Sequence, residues 1–403
     1  MNRGSNVKID AATSNLMDGL RGLSAMIVAC VHGFQVFVLP YFGLGSPSHT
    51  LTSLLATHAV TMFFIVSGFM IYVSTLRHRS ADGSFQSEKF AEARILRIYP
   101  PLIAAIVLTV LVYLVIQLLG LHGRESFRLG GELFVARERA TLEWSALPST
   151  FFLLYGAVPG APPPLNMDGP LWTLGYEWWF YILIFLSARL WNGWSFSTLL
   201  PLAAVTVMLL YGRNTLFLWF FLIWLSGFWL GYLYVKGQLF TDKFWLRAAA
   251  LTVGVLIMMF VMGHGHLVKD LLYPFDTPSA QRMMVIVGIL LTLAVSVLIR
   301  CATSSDLRIP KSISGMARFS YTLYVIHYPL LLLSFSLLHP LLHNRGWMIS
   351  LIAVTAVLAP ITYIASKVAL LVENRRLLSR LVPRTHSDRS RSKQKIVNII
   401  NML

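Results

Sequence analysis

The sequence predicts an all-α fold: a polytopic membrane helix bundle of about ten transmembrane helices, with both termini in the cytoplasm. Three observations predict it. Only 12% of the 403 residues are charged and 56% are hydrophobic, whereas a soluble domain carries about 25% charged residues. The apolar residues gather into about ten runs of membrane-spanning length. The lysines and arginines gather in alternate connections, which an even number of spans puts on one side. The net charge of +16 comes from these connections and from a basic tail. In a soluble chain that charge would point to nucleic acid. Here no aromatic and basic platform for stacking a single strand is evident, and no nucleic-acid partner is expected.

A span needs about 20 mostly apolar residues. The runs that qualify are 17–39, 52–76, 98–120, 170–190, 197–212, 214–235, 246–264, 281–300, 317–339 and 347–372. Only Arg213 and Asn214 separate the fifth from the sixth. Residues 1–16 then form a short cytoplasmic segment, 17–372 one transmembrane domain, and 373–403 a basic tail expected to be disordered against the anionic inner leaflet. The first run is longer than a signal-peptide core and no small-residue cleavage site follows it, so it is expected to remain as an anchor. The connections around Arg77 to Arg97, Lys236 to Arg247 and Arg300 to Arg318, together with the tail, are the basic ones. By the positive-inside rule they face the cytoplasm. The long loops 121–169, which ends in a proline-rich run, and 263–281, with His264 and His266, face outward and could shape an entrance. Cys30 lies in the first run and Cys301 just beyond the eighth, so no disulfide is expected.

Polar residues inside these runs are costly and point to function. Arg21 and His32 are eleven residues apart on the first run, a spacing that returns to nearly the same helix face about 16 Å further along. His32 and Glu177 each lie about 10 Å below the outer interface at 1.5 Å per residue, so they are candidates to pair, with the carboxylate orienting the imidazole as a base. Ser67 and Gly68 sit in MFFIVSGFMIY, where small residues usually mark close helix packing. Ser67 has no evident local base. Arg94 and Arg97 are three residues apart and share one helix face at the cytoplasmic edge, where they suit phosphate groups, although a purely topological role would explain them equally well. Arg77 or Arg79 could join them. Tyr321, Tyr324 and His327 recur every three residues and could line a cavity, although headgroup anchoring would also explain Tyr321. No metal is expected.

These residues lie in motifs that together resemble the acyltransferase 3 family of bacterial membrane O-acyltransferases, which modify cell-surface and exported carbohydrates. The motifs, in order, are DGLRG with His32 after it, FFIVSGF, RILRIYP, LWTLGYEWWFY and SYTLYVIH, and they extend from Asp18 to His327. The resemblance implies a ten-helix core in the bacterial inner membrane. It implies a cytoplasmic acyl-CoA donor, most simply acetyl-CoA, an acceptor carbohydrate on the outer side, and no permanently bound cofactor. Polysaccharide biosynthesis or export proteins would be its partners. The family's arginine–histidine motif falls on Arg21 and His32, its Arg-x-x-Arg motif on Arg94 and Arg97, and its Trp-x-Leu-x-x-Glu motif on Trp172, Leu174 and Glu177. Family members often carry a proline soon after the glutamate that ends the last span, whereas here Glu373 is followed by Asn374 and Arg375. The alternative from the residues alone is a proton-coupled exporter of a glycan or lipid precursor, since intramembrane His and Glu also serve proton relays.

Overall fold

The bundle begins at Asp10, whose carboxylate accepts a hydrogen bond from the Thr13 backbone N–H at 2.8 Å. This cap satisfies one of the otherwise orphaned amides at the helix start and opens α1, Ala11–Phe37. The computed structural model describes residues 8–43, 45–129, 132–133, 139–212, 214–262, 278–304, 308–374 and 378. Within these, α1 is followed by α2 (Pro47–Arg77), α3 (Ser87–Leu118), the short α4 (Ala146–Phe151), α5 (Trp172–Arg189), α6 (Phe196–Tyr211) and α7 (Thr215–Val235). Then come α8 (Asp242–Met262), α9 (Pro278–Thr303), the short α10 (Lys311–Gly315), α11 (Ser320–Leu342) and α12 (Trp347–Val372). Two two-residue strands, β1 (Arg128–Leu129) and β2 (Glu132–Leu133), pair antiparallel in the loop after α3.

Each of the ten apolar runs falls on a helix, so the all-α bundle is as expected. Among the described residues, seven helices are long and apolar enough to cross a membrane: α1, α2, α3, α7, α9, α11 and α12. The other three runs correspond to α5, α6 and α8; α6 is a shorter apolar helix of 16 residues. Helix α3 starts eleven residues before its apolar run. Its opening turn carries Glu88, which complements the helix dipole, and the helix continues through the RILR segment across Pro100 and Pro101. The basic tail from Arg375, except Leu378, and the loop residues His264 and His266 lie outside the described residues.

Glycines decide how closely the central helices approach. Gly68 on α2 and Gly227 on α7 sit back to back. A Cβ at Gly68 would lie 2.1 Å from the Trp224 carbonyl, and one at Gly227 would lie 2.1 Å from the Ile65 carbonyl. No side chain fits there, so α2 and α7 touch through their backbones, as small residues permit in membrane helices. Beside this seam, Phe64, Phe180, Phe217, Phe220, Trp224 and Tyr176 form a buried aromatic cluster between α2, α5 and α7. Helix α1 packs on α2 and on α11, while α11 packs on α3 and α12. The start of α11 is held from a distance: Glu373, just past α12, accepts hydrogen bonds from the Thr322 N–H at 3.1 Å and hydroxyl at 2.5 Å. A carboxylate there caps the third residue of α11, a role local sequence usually supplies.

Candidate active site

A cavity of about 260 Å³ opens among α1, α2, α3, α5 and α11. The second half of α2 supplies Ser67, Ser74 and Arg77, His78 follows at its C-cap, and the first half of α3 supplies Arg94 and Arg97. Helix α5 supplies Thr173, Glu177 and Tyr181, α11 Tyr321 and Tyr324, and α1 Arg21. The wall therefore holds four arginines and a single carboxylate. That imbalance makes it an anion site, with guanidinium forks suited to phosphate or carboxylate oxygens.

Two of the arginines lie against aromatic faces. Arg97 lies over the Tyr321 ring at 5.5 Å, and Arg94 over Phe90 at 5.5 Å and Tyr181 at 5.7 Å. Such cation–π contacts fix a guanidinium without consuming its donors. Arg94 also donates to Ser74 Oγ at 3.3 Å. Arg97 makes no hydrogen bond or ion pair among the described residues, and the Tyr321 hydroxyl, buried at the same wall, has no hydrogen-bond partner among them either. Arg21 bonds Asp18 at 3.0 Å, and its Nη2 also lies 3.4 Å from the Ala317 carbonyl. Glu177 accepts from Ser67 Oγ at 2.6 Å and from the Tyr181 hydroxyl. Trp224 Nε1 donates to the same Ser67 oxygen at 3.2 Å. Ser67 thus ties α2, α5 and α7 together at the cavity wall.

The two histidines lie further along the bundle. His32 Nδ1 is 2.8 Å from His327 Nε2. The rings are 4° from parallel with centroids 5.1 Å apart, the separation of about 5 Å expected when two imidazoles bond edge to edge in one plane rather than stack. His327 is wholly buried, with its Nδ1 2.8 Å from the Tyr324 carbonyl and 3.1 Å from the Leu323 carbonyl. Tyr328 meets the His32 ring edge-on. Helices α1 and α11 run side by side in the same direction: Arg21 reaches Ala317 just before α11, and His32, eleven residues later, reaches His327. The eleven-residue spacing on α1 therefore puts both side chains on the face that meets α11.

A family model described as an acyltransferase domain, acyltransferase 3, matches residues 15–366. The chain belongs to this family. It is an acyltransferase and a multi-pass membrane protein. No curated protein and no solved structure matches it.

In this acyltransferase the cavity collects Arg21, Ser67, Arg77, Arg94, Arg97, Glu177, Tyr321 and Tyr324, eight of the twelve residues singled out by sequence. Asp18 stands behind Arg21, and Trp172 packs on Tyr176 and Phe220. The expected pairing of His32 with Glu177 is not made. Matched depth says nothing about which way a side chain points around its helix axis: His32 faces α11, and Glu177 faces Ser67 on α2. Ser67, expected to lack a base, has the Glu177 carboxylate on it. His327 is not a cavity-lining residue but the partner of His32. Tyr321 is at the cavity wall, not at a headgroup. Arg79 is turned away, bonded to the Gly83 carbonyl at 2.8 Å and over the Trp191 ring. Sequence reasoning gave no role to Tyr181, Thr173 or Glu373. Tyr181 is four residues after Glu177 and so stands on its helix face, a signal that was readable. The contacts of Thr173, which donates to the Tyr324 hydroxyl at 2.8 Å, and of Glu373 are long-range and leave no local pattern.

Proposed function

We propose that this acyltransferase sits in the bacterial inner membrane and carries an acyl group, most simply acetyl, from cytoplasmic acyl-CoA to a hydroxyl of a cell-surface or exported carbohydrate. The observation that carries the reading is the four-arginine cavity lying on the same helices as the histidine pair. In the expected orientation the cavity mouth, formed where α2 hands over to α3, faces the cytoplasm. There Arg77, Arg94 and Arg97 offer guanidinium groups to the phosphates of a CoA donor. The cavity volume is below the roughly 300–1,000 Å³ of sites that enclose a whole small ligand, so it suits one end of an elongated donor. Glu177 sets a negative charge opposite Arg97 and Arg21, which keeps the wall from being uniformly repulsive within itself.

His32 lies about 16 Å beyond Arg21 along α1, toward the outer side where the acceptor arrives. It removes the proton from the acceptor hydroxyl as that oxygen attacks the thioester carbonyl. The carbon–sulfur bond breaks and the proton passes to the CoA thiolate. In the two-step version His32 attacks the thioester carbonyl and the carbon–sulfur bond breaks to release CoA thiolate. The hydroxyl oxygen then takes the acyl group as the carbon–nitrogen bond breaks, and its proton goes to the freed imidazole, balancing the thiolate. The experiment is release of free CoA thiol by purified protein given acetyl-CoA and an envelope glycan extract, beside His32→Ala. Glycan-stimulated release, reduced by about 10²–10⁴-fold in a folded variant, is the expected result. Full release by His32→Ala overturns the role of His32. Absence of release across a panel of acyl-CoA donors and acceptor glycans, from folded wild-type protein, overturns acyl-CoA as the donor.

A further inference from the structure

We infer that His327 is the residue that orients His32, by locking it in one tautomer. The inference rests on the acyl-transfer reading for its chemistry, but its geometry stands alone. Backbone carbonyls only accept hydrogen bonds. The Nδ1 of His327 lies 2.8 Å from the Tyr324 carbonyl and 3.1 Å from the Leu323 carbonyl, so Nδ1 carries the hydrogen. In the neutral ring Nε2 then holds a lone pair and accepts. Its partner at 2.8 Å is His32 Nδ1, which must therefore be the N–H. The chain of donors runs one way, from His32 Nδ1 to His327 Nε2 and from His327 Nδ1 to the backbone of α11. His32 Nε2 is left as the nitrogen with the lone pair, hence the base or nucleophile.

This assigns to an imidazole the place that a carboxylate takes in many acid–base pairs. The difference has consequences. When His32 Nε2 takes the acceptor proton, its Nδ1–H still donates to His327, and the bond becomes charge-assisted. Passing that proton on to His327 would put a charge on a ring that is wholly buried, a costly transfer. The proton therefore stays on His32, ready for the leaving thiolate. The near-coplanar rings, 4° apart, hold the direction of Nε2 as well as its protonation. His327 touches neither donor nor acceptor in this scheme; it is a positioning residue.

The test uses the full chain in detergent with isotope-labelled histidine, the His32 signals being assigned by their loss in His32→Ala. In the wild type the nitrogen shifts should report an Nδ1–H, bare-Nε2 tautomer at His32. His327→Gln keeps an acceptor oxygen near the position of Nε2 and should preserve that tautomer and turnover to within about tenfold. His327→Leu removes the acceptor. It should release the tautomer and lower kcat by about 100-fold or more, with KM for acetyl-CoA unchanged. An Nε2–H tautomer in the wild type overturns the inference. So does wild-type turnover in His327→Leu, or a folded Gln variant as slow as Leu, which would make His327 a packing residue. If the wild type proves to transfer no acyl group, the reaction reading fails by itself, and the tautomer measurement still decides the pairing.

Discussion

Single side chains decide the electrostatics of this site. Arg97 illustrates how. Its ring contact with Tyr321 fixes the guanidinium, and its donors have no taker among the described residues. Holding a cation this way costs stability unless a ligand anion completes it. Arg97→Gln should therefore raise KM for acyl-CoA by about 10–100-fold, the worth of a lost charge-assisted hydrogen bond, and lower kcat less. An unchanged dependence of rate on acyl-CoA concentration would take Arg97 out of the donor site. The arginine motif was legible from spacing alone, because three residues on a helix share a face. The histidine partner was not. His32 and His327 are 295 residues apart, and only the lateral packing of α1 on α11 brings them together.

At the scale of elements, the α2–α7 seam and the C-terminal half of α11 give contrasting tests. Gly68→Ala forces a methyl group to 2.1 Å from the Trp224 carbonyl, and backbone cannot swing aside as a side chain can. The expected loss is about 1–3 kcal/mol, the usual cost of overpacking, read as a lower thermal midpoint in detergent. Gly315→Ala, where a Cβ meets nothing within 4 Å, should leave that midpoint unchanged. Equal midpoints for the two variants would mean the seam is not tight. The second test concerns His122, in the loop after α3. Its ring lies parallel to that of His339 on α11, with centroids 3.4 Å apart, and its Nε2 accepts from the Arg128 N–H at 2.9 Å. Burial, and secondly the neighbouring His339, push His122 down from 6.5 to about 4. A folded ring that resists protonation stabilises the protein fully above the unfolded value, and the contribution is lost as pH falls from about 6.5 toward 4. The thermal midpoint should drop between pH 7 and pH 5, and His122→Gln, which keeps an acceptor for Arg128, should drop less. A wild type and variant with the same pH dependence would remove His122 as the cause.

For the whole molecule, the open quantity is which side each end faces. The proposed topology of ten spans would put the basic connections and both termini on one side, which the positive-inside rule makes the cytoplasm. In a chain carrying Cys30→Ser and Cys301→Ser, a thiol-reactive, membrane-impermeant label at a cysteine added after Leu403 should react only in inverted vesicles or lysed cells. Labelling of intact spheroplasts would put the C-terminus outside, through an odd number of spans or a reversed bundle, and would overturn the proposed topology. The bundle was readable in advance because hydropathy registers directly in composition: a segment that must satisfy its backbone hydrogen bonds inside lipid has to be helical and apolar. Helix α3 exceeded its apolar run for the converse reason, since a helix does not stop where hydrophobicity does.

What the sequence determined by itself was therefore everything that depends on local pattern: an all-α membrane bundle, the order of its motifs, and the faces on which Arg21 and His32, or Arg94 and Arg97, fall together. Membership of the acyltransferase family is likewise shown by sequence, through the family-model match over residues 15–366. Tertiary structure alone decided the partners. Depth and helix face can be counted along a chain, but the rotation of one helix against another is set by packing, and here by glycines that let α2 and α7 meet through their backbones. That packing turned Glu177 toward Ser67 and left His32 to His327.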